Sequence, residues 1–102
     1  MNFIRIRKNN LCVENISAIS LTKKYKTPFY CYSLSQLKSN FYNFNNAFRK
    51  IKPLICFSVK ANANITLLKE LKKIGSGADV VSAGELLKAT KAGISSKKIV
   101  FS

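Results

Sequence analysis

Lys60 is the residue in this chain whose type and surroundings best suit covalent chemistry. It follows the apolar run Ile55-Cys56-Phe57-Ser58-Val59 and is followed at once by Ala61 and Asn62. Taking an ammonium out of water at the end of a buried strand is costly, and burial favours the neutral amine. A neutral amine attacks a carbonyl carbon to form a Schiff base, which makes a strand-end lysine a candidate nucleophile. The competing reading is a lysine whose stem lies along the strand end while its charge reaches water.

The elements that must position this lysine can be read from periodicity and punctuation. Phe3 to Arg7 alternates at period two, Lys8-Asn9-Asn10 supplies turn residues, and Leu11-Cys12-Val13 resumes the apolar run, which predicts a hairpin. Ile16 to Tyr25 reads as a short helix with Ile16, Ile19 and Leu21 inward, ended by Thr27-Pro28 because the residue before proline avoids helix. Phe29-Tyr30-Cys31-Tyr32 has the composition of a strand. Ser33 and Gln36 form a capping-box pattern opening a long helix, with Leu34, Leu37, Phe41, Phe44, Phe48 and Ile51 on one face and Lys52-Pro53 as its stop.

The Lys60 strand follows directly. Asn64 caps a helix through Leu67, Leu68, Leu71 and Ile74, and Gly75 closes it. Gly77 to Val81 reads as the next strand. Ser82 and Glu85 make a second capping box for a helix carrying Leu86, Leu87 and Ala89, which Gly93 ends. Lys98-Ile99-Val100-Phe101 is the following strand. Strand, helix, strand, helix, strand implies parallel pairing, hence an α/β fold. Three such strands leave open edges and an uncovered face, so the chain reads as the front portion of a larger α/β barrel or sheet.

Composition narrows the function classes. The chain has 102 residues and a net charge of +14. The basic excess is mostly lysine scattered over helix faces and turns, with Lys23, Lys24 and Lys26 as its densest cluster. A small basic nucleic-acid-binding module is therefore an alternative that the charge alone does not favour. No apolar run approaches the roughly 20 residues of a membrane helix, and the polar alternation at the N-terminus is not a signal-peptide core. A cytoplasmic location follows as the expectation. Cys12, Cys31 and Cys56 are widely spaced in apolar surroundings, which predicts buried reduced thiols. With no histidine and no cysteine pair, no metal site is expected.

Two segments carry a resemblance. Phe57-Ser58-Val59-Lys60-Ala61-Asn62 resembles the aromatic-x-Val-Lys-Ala-Asn motif of the fold-type III pyridoxal-phosphate decarboxylases, and Gly75-Ser76-Gly77-Ala78-Asp79-Val80-Val81-Ser82-Ala83-Gly84-Glu85-Leu86 resembles their next segment. Tyr25-Lys26-Thr27-Pro28-Phe29-Tyr30-Cys31-Tyr32 and the pattern from Ala92 to Phe101 are most similar to the diaminopimelate-decarboxylating branch. Ser58 stands where the family usually has alanine, and Lys26 where glycine is common.

The resemblance implies the first βα units of an alanine-racemase-like TIM barrel over 27–102, truncated. Residues 1–26 would be N-terminal strands and a short helix of the family's β-domain region. It implies pyridoxal 5'-phosphate as cofactor, with Lys60 as its Schiff-base residue, Asp79 as an acid near the ring, and Glu85 in the same neighbourhood. Ser58, Asn62 and Ser82 would support the site; for Glu85 the capping box is an equally complete explanation, and Ser82 reads better as a helix cap than as a ligand group. The complete protein would be a homodimer converting meso-2,6-diaminopimelate to L-lysine and carbon dioxide, the last step of lysine biosynthesis. Decarboxylation of ornithine, arginine or a polyamine precursor, and a racemase relative, are the alternatives within the fold. The family's stacking histidine, glycine-rich phosphate loop and substrate-binding arginine and cysteine regions have no counterpart in these residues, so the 102-residue chain alone is expected to be inactive.

Overall fold

The computed structural model describes residues 2–102, which divide into two units, 1–42 and 43–102. The first unit is built on an antiparallel meander of β1 (Ile4–Arg7), β2 (Asn10–Val13) and β3 (Ile16–Ser17). Lys8 and Asn9, at φ 47° and 62°, form the two-residue turn between β1 and β2. Positive φ at both central positions matches the right-handed twist of the flanking strands.

α1 (Ala18–Lys24) starts two residues later than the periodicity predicts, because Ile16 pairs with Val13 in the meander and the Ser17 hydroxyl caps the helix. Ile16 and Ile19 are exposed, and Leu21 is half-buried. Phe29 to Tyr32 is not a strand. Strand-like composition describes a fit to a pleated, half-buried surface. Among the described residues no ladder partner is offered here, and Tyr30 is 89% exposed. The same setting leaves Cys31 exposed, whereas Cys12 is buried and Cys56 half-buried; all three are free thiols.

α2 (Leu34–Ala47) begins in the first unit and ends in the second. Its start departs from a reciprocal capping box. Gln36 N–H donates to Ser33 Oγ at 3.0 Å, but Gln36 Oε1 accepts from the Phe3 backbone at 3.3 Å instead of from Ser33. Glu14 adds a second acceptor at this helix start: its Oε1 accepts from the Ser33 hydroxyl at 2.8 Å and from Ser35 N–H at 3.1 Å. The carboxylate thus sits where the helix N-terminus favours negative charge. α2 stops at Ala47, short of the predicted end. Arg49–Ile51 forms a 3-10 turn and Lys52 turns left-handed at φ 48°, so Phe48 and Ile51 lie outside the helix.

The second unit carries a parallel sheet in the order β4 (Cys56–Ser58), β5 (Gly77–Val80), β6 (Ile99–Phe101). α3 (Ile65–Lys73) and α4 (Ala83–Lys91) make the connections. Asn64 Oδ1 caps α3 by accepting from Thr66 and Leu67 N–H. Both helices end alike. Gly75 N–H donates to Lys72 O while Ser76 N–H reaches Leu71 O, and Gly93 and Ile94 repeat this with Thr90 and Ala89. Gly75 and Gly93 have φ of 96° and 88°, the left-handed conformation that this double-bonded ending requires.

The core lies between sheet and helices: Val59, Leu68, Ala78, Val80, Ala89 and Ile94 are buried, with Phe57 and Ile99 packed against them. Of the apolar residues carried by α4, Leu86 and Leu87 are exposed and Ala89 is buried. Phe57, Ala78 and Ile99 are in register and share the helix-facing side. The intervening row, Ser58, Asp79 and Val100, therefore points to the opposite face.

Two outcomes test this packing. Hydrogen bonds from the Ser33 hydroxyl first, then from Ser35, hold the Glu14 carboxyl below its ordinary value of 4.5. A depressed carboxyl stabilises the fold above that ordinary value, and the contribution is lost as pH falls through the depressed one. The Ser35 amide resonance will titrate in that acid range, and Glu14→Gln will flatten the curve. At Gly77, an added Cβ would lie 2.3 Å from Lys98 O and 2.8 Å from Cys56 Sγ. Gly77→Ala will therefore destabilise by about 1–3 kcal/mol in urea unfolding, the usual range for overpacking against backbone.

Candidate functional site

All three parallel strands end at one edge, and the side chains that follow them gather there. Lys60 is not in the strand as the sequence predicts. β4 closes at Ser58, and Lys60 occupies a 3-10 turn, Val59–Ala61. Val59 takes the buried position, at 0% exposure, which turns Lys60 outward into solvent. The expected desolvation of the amine is thus not provided by residues 2–102.

Asn62 ends the turn. Its N–H donates to Val59 O at 3.1 Å, and its Oδ1 accepts from Asn64 N–H at 3.1 Å. That is a link from the Lys60 turn to the cap of α3.

Asp79 is half-buried on β5, in register with Ser58 on one side and Val100 on the other. The Ser102 hydroxyl donates to Asp79 Oδ1 at 2.7 Å. Cys56 lies on the same face, two residues before Ser58 on β4. Burial first, and the Asp79 charge second, push its thiol above the ordinary cysteine value, which keeps it protonated and a poor nucleophile. Its Sγ–H points at Lys98 O, 3.8 Å away.

Ser82 and Glu85 belong to the helix start. The Ser82 hydroxyl accepts from Glu85 N–H at 3.1 Å and donates to Glu85 Oε2 at 3.4 Å, while Glu85 Oε1 accepts from Val81 N–H at 3.3 Å. Both carboxylate oxygens are engaged in capping. The structure thus brings Lys60, Ser58, Asn62 and Asp79 to the strand-end edge and its neighbouring turn, and gives Ser82 and Glu85 a local structural task.

Two residues escape the motif reading. Ser102 could have been found by the rule that singled out Lys60, since it directly follows a barrel-type strand. Cys56 could have been found by counting two residues back from Ser58 along the strand face.

As a donor set, a solvent-reaching primary amine and a carboxylate on the inward face suit an aldehyde-bearing, cationic ring cofactor. A phosphate needs a glycine-rich approach to a helix N-terminus. Gly75-Ser76-Gly77 leads into β5 instead, so among the described residues this segment forms no phosphate cradle.

Residues 34–102 match the family model described as the pyridoxal-dependent decarboxylase, pyridoxal binding domain. The chain belongs to that family. Among its relatives, it is 51% identical over 82 residues to a diaminopimelate decarboxylase of Helicobacter pylori, covering 80% of this chain and 20% of that protein. It is 40% identical over its whole length to the diaminopimelate decarboxylase of Haemophilus influenzae, of which it covers 25%. The crystal structure of diaminopimelate decarboxylase from M. jannaschii superposes with a TM-score of 0.92 at 36% identity, over 98% of this chain and 24% of that one. The chain therefore spans about a fifth to a quarter of the length of these relatives. The α/β class and the βα units preceded by N-terminal strands stand as read from the sequence.

The local role of Ser82 is measurable. Ser82→Ala removes the α4 cap and will cost about 1 kcal/mol in urea unfolding. Glu85→Gln keeps an acceptor for Val81 N–H and will cost less. Equal losses for the two variants would mean that the carboxylate charge, not the box geometry, holds the helix start.

Proposed function

We propose that Lys60 is the residue through which this chain holds pyridoxal 5'-phosphate. We propose further that the whole protein decarboxylates meso-2,6-diaminopimelate to L-lysine and carbon dioxide. One observation carries the reading: Lys60 and Asp79 reach the same edge of a parallel sheet, at the ends of adjacent strands β4 and β5. That is the face where barrels of this type place their chemistry. The substrate follows from the relatives named above, each called a diaminopimelate decarboxylase.

When bound, the cofactor ring supplies an electron sink for the pair left on the α-carbon as carbon dioxide departs. The chain's own residues have simpler tasks. The Lys60 amine would hold the cofactor's aldehyde, and a free amine here would be the group available to carry a proton. The Asp79 carboxylate favours a protonated nitrogen at this edge by charge. Ser58 and Val100 flank Asp79 in register and leave it without a charged neighbour in that row. The Asn62 bond to α3 holds the Lys60 turn in place.

The same reading assigns the complete protein to the cytoplasm as a homodimer with an amino-acid substrate and no nucleic-acid partner. Among the described residues no helix is long and apolar enough to cross a membrane. Residues 1–26 belong in this reading to the β-domain region, and 27–102 open the barrel.

Incubation of the chain with pyridoxal phosphate, borohydride reduction and peptide mapping will find the modified lysine at Lys60, and Lys60→Arg will remove that peptide. Modification spread evenly over the chain's many lysines would sink the assignment. In a parallel assay the 102-residue chain will release no carbon dioxide from diaminopimelate.

A further inference from the structure

Asp79 is one of only 4 acidic residues against 18 lysines and arginines, yet its hydrogen-bond partner is a neutral hydroxyl. The Ser102 hydroxyl donates to Oδ1 at 2.7 Å, a short bond of the charge-assisted kind. Ser102 is itself tied down, since its N–H donates to Val80 O at 3.1 Å and carries the β5–β6 ladder one residue past the end of β6. The hydroxyl is thus presented from fixed backbone, directly across from the strand that carries the acid.

The neighbours of Asp79 in its row, Ser58 and Val100, carry no charge. Oδ2 has no hydrogen-bond partner among the described residues. A lysine or arginine at this place would fix the carboxylate and also neutralise it. A serine fixes its orientation and leaves its charge for a cation arriving at the strand-end edge.

We propose that Ser102 is the positioning residue for Asp79: it locks one carboxylate oxygen so that the other stays oriented and charged for a cationic nitrogen at this edge. On the functional reading above, on which this rests, that nitrogen is the one carried by Lys60. Ser102 touches neither substrate nor cofactor in this account and acts only through Asp79.

The test uses the full 102-residue chain as wild type, Ser102→Ala and Ser102→Thr, with backbone amide spectra of β4 to β6 as the check on folding. Two quantities are read: the Asp79 side-chain rotamer from three-bond NMR couplings, and the selectivity of pyridoxal-phosphate labelling at Lys60 after borohydride reduction. The expected result is a single Asp79 rotamer in wild type, averaging in Ser102→Ala, and return of the single rotamer in Ser102→Thr, which keeps the hydroxyl. Lys60 selectivity should fall toward that of the other lysines in Ser102→Ala and recover in Ser102→Thr. An Asp79 rotamer that is averaged in wild type, or unchanged in Ser102→Ala, overturns the positioning role even if Lys60 is labelled selectively. A rotamer that follows the hydroxyl while Lys60 is labelled no more than other lysines upholds the positioning role and overturns the functional reading instead.

Discussion

Parallel strands cannot be joined by a tight turn, so β5 and β6 each depend on a helix, α3 and α4, to bring the chain back to the starting edge of the sheet. That requirement organises the second unit. Each return ends on a glycine in the left-handed conformation, Gly75 before β5 and Gly93 before the turn into β6. The reward is directional: every strand opens toward the same edge, and whatever residue comes next is delivered there. Lys60, Ser82 and Ser102 follow their strands by one to two residues. Residues far apart in the chain are thus carried to one end of the sheet by topology alone.

Close strand approach sets a second condition on the same geometry. Gly77 sits beneath Cys56 Sγ and beside Lys98 O, with no room for a Cβ. Because Gly77 is two residues before Asp79, the small residue at the start of β5 lets the three strands draw together beneath the acid. The Cys56 thiol fills this inward face and stays protonated there. Packing and candidate chemistry therefore share one face of the sheet, with Cys56 and Gly77 two residues before Ser58 and Asp79.

Much of this was legible in the sequence because it is written in local grammar. Ser82 with Glu85, Asn64 before α3, and Gly75 and Gly93 after their helices act on backbone groups within four residues, and each appears as read. The failures share a cause as well. Phe29 to Tyr32 and the inward face of α1 were inferred from residue type, which reports what a side chain prefers and not whether a partner surface is present. Glu14 was invisible because its task is to cap a helix that begins 20 residues further on, at Leu34. The Lys60 strand ran short because Val59, the better hydrophobe, takes the buried place and the backbone turns to allow it.

The fate of the two acids at this edge shows how a structure can weigh candidates that a motif treats alike. Glu85 and Asp79 lie in the same family-like segment and carry the same charge. Glu85 gives one oxygen to Val81 N–H and the other to the Ser82 hydroxyl, so moving it to meet a ligand would break both bonds at the helix start. Asp79 gives one oxygen to Ser102 and keeps the second without a hydrogen bond among the described residues. No helix depends on it. The carboxylate with the least structural work is the one whose charge is available to a cation, and it is also the one on the strand beside Lys60.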